Sequence, residues 1–289
     1  MRRFLIGALT TGAVAAAAIF ATGAFFSDEE TSTGNLLQAG EIDLVIDNHS
    51  YVDQTGNGLV ENPGTTWRAT DLTNQVFFNF TDLKPGDLGE DTISLHVSSN
   101  PAWVCANIDL TANDDRDCSE PEVGDDANCD PNVDPDADLF DGDLAQALNF
   151  IFWIDDGDNV FEIDETNEGD VTEKILTQGP ASGVLNGAHW SLFDSQTGTG
   201  PTDPDQVYWI GKAWCFGNLT LDPVDQDDLG GQPNNGPDVR GAGVSCDGEP
   251  VNNAAQTDLL TGDITFRAVQ SRHNSTFVCD ERAEPIDQI

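Results

Sequence analysis

The densest set of groups able to do chemistry is the run Trp153-Ile154-Asp155-Asp156-Gly157-Asp158-Asn159-Val160-Phe161-Glu162-Ile163-Asp164-Glu165. Asp155, Asp156, Asp158, Glu162 and Asp164 supply carboxylates, Asn159 supplies an amide oxygen, and Gly157 suits a turn. These are hard oxygen donors, of which calcium takes about 6–8 at about 2.3–2.6 Å. The spacing departs from the EF-hand loop, which needs Gly at its sixth position and Glu at its twelfth. The competing reading is an acidic hairpin in an acidic chain, with an aromatic strand entering the turn and a short strand leaving it.

Other chemistry is sparse. The sequence contains no H-E-x-x-H, G-x-S-x-G, P-loop or dinucleotide fingerprint. His49, His96, His189 and His273 are scattered and read as surface residues. Nothing calls for an organic cofactor, and the sequence points away from an enzyme.

The six cysteines are an even set with no C-x-x-C pair, which in an exported chain indicates disulfides. About 15 pairings are possible. Short loops suggest Cys118–Cys129 and Cys215–Cys246, leaving Cys105–Cys279. Asn48, Asn79, Asn218 and Asn274 each begin an N-x-Ser/Thr sequon, a candidate glycan site in an exported chain.

Export is expected from the opening residues. Arg2 and Arg3 precede an uncharged run from Phe4 to Ala21, and small residues then lead to Phe25, Phe26 and the acidic Ser27-Asp28-Glu29-Glu30. That is the order of a secretory signal. The run is slightly shorter than the roughly 20 residues of a membrane span. We expect a signal over 1–24, a mature N-terminal segment over 25–38 and a single β domain over 39–289.

The chain carries 52 Asp plus Glu against 11 Lys plus Arg, a net charge of −41. Such a surface excludes nucleic-acid binding by phosphate neutralisation and argues against docking on anionic lipid. Fifteen Phe, six Trp and alternating apolar segments argue for a folded chain rather than a disordered one. Adaptation to high salt fits, because the Debye length falls to about 3 Å at 1 M and screens self-repulsion.

The elements that must position these groups read as strands of period two. Ile93, Leu95 and Val97 alternate with Ser94, His96 and Ser98; Val76, Phe78 and Phe80 alternate with Phe77, Asn79 and Thr81; and Ile264, Phe266 and Ala268 alternate with Thr265, Arg267 and Val269. Further strands are expected near 41–46, 102–110, 148–154 and 207–216, with one short helix near Asp141–Leu148. The stretches 112–138 and 222–256 read as loop insertions rich in Asp, Gly, Pro and Asn. The fold class expected is all-β: an antiparallel β-sandwich, jelly-roll-like, with long acidic, cysteine-containing loop insertions.

Three blocks resemble the TasA/camelysin family of secreted β-sandwich proteins: Gly23-Ala24-Phe25-Phe26-Ser27-Asp28 with Ala39-Gly40-Glu41-Ile42-Asp43-Leu44; Phe80-Thr81-Asp82-Leu83-Lys84-Pro85-Gly86-Asp87; and Ile264 to Gln270. The chain departs from the best-known members in its cysteines, its insertions and its acidity, which is of haloarchaeal type. The second block also has a purely local reading, a turn centred on Pro85-Gly86. The resemblance implies a secreted subunit that builds extracellular filaments or biofilm matrix as a head-to-tail homopolymer, released by a dedicated signal peptidase. It also implies donor-strand addition by residues 25–37, with Phe25, Phe26, Leu36 and Leu37 as apolar anchors. The alternatives are a camelysin-like secreted metallopeptidase and a monomeric calcium-binding cell-surface β-sandwich.

Overall fold

The computed structural model describes residues 42–129, 138–163 and 173–279. All of these lie in one compact unit, Gly40–Ile289. The candidate donor residues Phe25, Phe26, Leu36 and Leu37, and the expected ligand Asp164, lie outside the described residues.

The chain is all-β. In chain order its strands are β1 (Asp43–Asp53), β2 (Val60–Glu61), β3 (Trp67–Thr70), β4 (Leu88–Ser98), β5 (Ala102–Asp114), β6 (Leu148–Asp155), β7 (Glu162–Ile163), β8 (Ile175–Pro180), β9 (Ala188–Phe193), β10 (Gln206–Phe216), β11 (Asn218–Leu221), β12 (Val224–Asp225), β13 (Val244–Asp247) and β14 (Leu259–Gln270). Among the described residues three single-turn α-helices interrupt them, α1 (Leu144–Ala147), α2 (Ala181–Val184) and α3 (Pro237–Arg240), with two 3-10 turns at Glu122–Gly124 and Asn253–Ala255. The helix expected over Asp141–Leu148 is thus one turn long.

A seven-stranded antiparallel sheet runs β2-β1-β4-β10-β6-β8, with β3 also paired to β1. A three-stranded antiparallel sheet runs β14-β5-β9. The alternation in β4 places Ile93, Leu95 and Val97 inward, each no more than 1% exposed. They meet Val104, Ala106 and Ile108 of β5 in one apolar cluster, so the two sheets share a core.

The large sheet is covered on its other face as well. Phe150 and Phe152 of β6 join the core between the sheets, whereas Ile151 and Trp153 point the opposite way into a second cluster with Phe161, Ala213, Ala242 and Val244. This explains why β6 reads as a nearly continuous apolar run, the pattern of a strand buried on both faces. The cover comes from the region expected to be a loop insertion, 222–256. It carries α3 together with β12, which pairs with β7, and β13, which pairs with β11. The β7–β12 pair is parallel, an exception to the antiparallel rule elsewhere.

One expected strand does not form. Residues 71–87 contain no strand; Phe77, Phe78, Phe80 and Leu83 pack into the core instead of entering a ladder. Phe77, not its neighbours, is buried, packed edge-on against Trp67 and Phe266, while Val76 is exposed. The turn that follows does form. Asp87 N donates to Lys84 O at 2.9 Å, Gly86 has φ +96°, and Asp87 Oδ2 accepts from Lys84 N at 2.8 Å.

The disulfides are Cys118–Cys129, Cys215–Cys246 and Cys105–Cys279. The second joins β10 to the covering layer and the third joins β5 to the end of the described chain. No helix among the described residues is long and apolar enough to cross a membrane.

Candidate metal centre

The acidic run is positioned by the end of β6 and the start of β7. Asp155 is the last residue of β6 and its carboxylate organises the turn after it. Gly157 N and Asn159 N donate to Oδ2 at 3.1 and 3.3 Å, Trp153 Nε1 donates to Oδ1 at 3.1 Å, and Thr92 Oγ1 reaches Oδ2 at 3.3 Å. The turn passes through two left-handed positions, Gly157 (φ +108°) and Asn159 (φ +67°). A Cβ at Gly157 would stand 2.9 Å from the Trp209 ring, so glycine is needed for space as well as for conformation.

Two overlapping triads result. One oxygen from each of Asp155, Asp156 and Glu173 lies within 4.8 Å of the others, and so does one from each of Asp156, Asp158 and Glu162. Opposite ligands around a calcium ion stand about 4.6–5.2 Å apart, twice the Ca–O distance, so either triad matches the span of one coordination shell.

The cost of this arrangement without a cation is legible in its electrostatics. Two ionised carboxylates at this separation repel by about 3 kcal/mol at an effective dielectric constant of about 20. Burial, then the charges of Asp155, Glu162 and Asp156, push the Asp158 carboxyl up to about 8. Burial pushes Glu162 up to about 7 against the opposing pull of Arg240. Asp155 and Glu173, a tightly linked buried pair, are both driven upward, chiefly by burial. Glu90 of β4 is fully buried, neither of its oxygens is hydrogen-bonded among the described residues, and it too is driven well above the usual range by burial and then by Asp155. Asn159 is 2% exposed and neither atom of its amide is hydrogen-bonded.

One cation of the protein answers part of this charge. Arg240, from α3 in the covering layer, places Nη1 2.7 Å from Asp158 Oδ2, pairs with Glu162, and sets Nε 3.5 Å from Asp227 Oδ2. Asn235 Nδ2 donates to the same Asp158 oxygen at 3.0 Å, and Glu162 N donates to Glu173 Oε2 at 2.9 Å. Four or more acids against one guanidinium leave a surplus of negative charge and an incomplete set of hydrogen bonds. Such a centre can hold a divalent cation through hard oxygen donors.

Of the ligands expected from sequence, Asp155, Asp156, Asp158 and Glu162 come together, and Asn159 lies in the same turn. Glu173, Glu90, Arg240, Asp227 and Asn235 were missed, being distant in sequence. Among the expected glycan sites, Asn79 and Asn218 are exposed and Asn274 is half-buried. Asn48 is 1% exposed and its Nδ2 donates to Thr65 O at 2.7 Å. Of the histidines, His96 bonds Asp47 at 2.7 Å and His189 bonds Asn107 at 2.6 Å. None joins a cluster of possible metal ligands among the described residues.

No protein-family model matches the chain, and no curated protein matches it.

Proposed function

We propose that this chain is an exported structural subunit that forms extracellular filaments by strand addition and that its acidic centre takes calcium. The observation that carries the assembly reading is the edge of β14. Among the described residues this 12-residue strand pairs its backbone with β5 alone. Leu260, Ile264, Phe266 and Ala268 pack against the core yet remain only half-buried. A long, partly apolar open edge is a template for another strand. An added strand gains main-chain hydrogen bonds and places alternate side chains in the gaps.

Residues 25–37 are of matching length, with Phe25 and Phe26 at one end and Leu36 and Leu37 at the other. A head-to-tail contact of this kind does not close on itself and so propagates a fibre. The resemblance to the TasA/camelysin family supports the same reading. Three disulfides accord with an oxidising, extracellular setting.

Deletion of Phe25–Gly34, with export retained, tests the proposal. Circular dichroism should be unchanged while negative-stain electron microscopy shows filaments lost, and an excess of free 25–37 peptide should shorten filaments of the parent. Filaments of parental length and abundance from the truncated chain would overturn it. The acidic centre favours a second reading, a monomeric calcium-binding cell-surface protein, which predicts single particles from the parent in the same images.

A further inference from the structure

A second cluster lies in a different part of the fold, where the first cysteine loop meets the start of β14. Asp115 follows β5, Glu122 opens a one-turn 3-10 helix between Cys118 and Cys129, and Asp258 immediately precedes β14. One carboxylate oxygen from each lies within 4.8 Å of the other two.

The three acids share one arrangement. Each is fixed through one of its oxygens and leaves the other without a donor among the described residues. Asp258 Oδ2 accepts from Asp143 N at 2.6 Å and Leu144 N at 2.8 Å, whereas its Oδ1 is buried and unpartnered. Glu122 Oε2 accepts from Ser119 N at 3.1 Å and Thr257 Oγ1 at 3.2 Å, whereas Oε1 has no partner. Asp115 accepts from the Asp117 backbone, and its Oδ1 is buried and unpartnered. Glu122 is 0% exposed, so its free oxygen has no access to solvent. Buried polar atoms are seldom left unsatisfied, and each instance requires an explanation.

We infer that Asp115, Glu122 and Asp258 form a second calcium site, which clamps the Cys118–Cys129 loop to the base of β14. The donors are all carboxylate oxygens, which favours a hard cation. Cys118 and Cys129 lie near Asp115 but are bonded to each other and supply no thiolate. The cation answers a surplus of charge, because Asp126 and Asp141 add to the field at Asp115. The loop is already held to residue 253 on the same side, where Asp125 Oδ2 accepts from Asn253 N at 3.0 Å and Nδ2 at 2.7 Å. The ion then fixes where β14 begins, at Leu259, and therefore how much of its open edge is presented. The inference stands apart from the assembly proposal and from the centre around Asp155.

Equilibrium dialysis of the chelated, full-length exported protein against calcium tests it. Glu122→Gln and Asp258→Asn should each remove one bound calcium per chain, and Asp158→Asn should remove a different one, so that Glu122→Gln/Asp158→Asn loses both. If Glu122→Gln and Asp258→Asn keep the parental circular dichroism and bind as much calcium as the parent, the inference is overturned. Should either fail to fold, hydrogen exchange on the unaltered protein decides. Calcium should slow exchange in peptides covering 115–125 and 253–260, separately from those covering 155–162. Unchanged exchange at 115–125 and 253–260 overturns this site, and unchanged exchange at 155–162 overturns only the other.

Discussion

Removing divalent cations should make the fold sensitive to pH in the direction opposite to that of ordinary ion-paired acids. Asp158 is raised from 3.8 to about 8 and Glu162 from 4.5 to about 7, chiefly by burial. Without a cation, the folded chain keeps protons that the unfolded chain releases above about pH 4–5. Stability changes with pH as the protons bound unfolded minus those bound folded. That difference is negative here, so stability is fullest below the unfolded pKa values and is lost as pH rises through the folded ones. Arg240 and solvent offset part of the charge, so one net proton is a fair working number. It corresponds to about 1.4 kcal/mol per pH unit, hence about 3 kcal/mol between pH 5 and pH 7. At about 2–4 °C per kcal/mol for a chain of this size, Tm should fall by about 6–12 °C. Calcium at about 100 times its Kd adds about 2.7 kcal/mol per site and should restore most of that loss.

The assay is differential scanning calorimetry at constant molar sodium chloride, with chelator or with calcium. Asp158→Asn should flatten the chelated curve, because an amide has no ionisation to suppress. Repulsion among surface acids is almost unchanged in that variant, so the comparison isolates the centre. A chelated Tm that is level or rises from pH 5 to pH 7, or a slope unaltered in Asp158→Asn, would refute the reasoning.

The remaining predictions concern the scaffold. Tm should climb as sodium chloride rises from about 0.1 to 3 M, since the −41 charge repels itself over a longer range in dilute salt; a Tm independent of salt contradicts this. Lys212→Met should cost about 3–5 kcal/mol in denaturant titrations, because it strands the Asp91 carboxylate. Lys212 and Asp91 are both fully buried and 2.7 Å apart, so Lys212→Met/Asp91→Asn should recover much of the loss. Gly211→Ala should destabilise by at least about 1–3 kcal/mol through overpacking, since its Cβ would fall 2.1 Å from Trp153 Cε2; a neutral effect would displace Trp153 from the second core. Peptide mapping without reduction should find the three disulfides and no reactive thiol, and several free thiols in the native protein would contradict it.

Strands whose two faces differ were legible in the sequence, and strands or covers made from distant pieces were not. Alternation located β4 and β14 because one side of each is apolar and packs on the core, while the other carries mostly polar residues, buried ones in β4 (Glu90, Thr92, Ser94). It misled at Val76–Phe80, where the same alternation belongs to a segment whose Phe77 points inward. Alternation records apolar spacing but not whether a ladder partner exists, and here Phe77 and Phe78 are recruited by Phe266 and Phe150 rather than by a neighbouring strand. The disulfide partners suggested by short loops are those the structure joins, since short loops close with little entropy lost.

The candidate metal centre shows the same division. Its local half, Asp155 to Glu162, was visible as a run of oxygen donors around a turn. Its distant half was hidden inside a stretch that reads as a polar insertion, yet one signal was present. Arg240 is the single basic residue between Lys212 and Arg267. In a chain so short of cations, a lone arginine deep in an acidic loop is poorly explained by surface screening, because it would be outnumbered wherever it lay in solvent. It is well explained by acids that cannot all stay ionised without it. The structure places it against Asp158, Glu162 and Asp227, and Lys212 likewise against Asp91. At Arg240 and Lys212, though not at the exposed Lys84, the cation marks where carboxylates have been taken out of water. Glu90, Asp155 and Glu173 are carboxylates taken out of water as well, and for Asp155 and Glu173, each with an oxygen within 4.8 Å of one from Asp156, the calcium ion proposed above would let them stay ionised there.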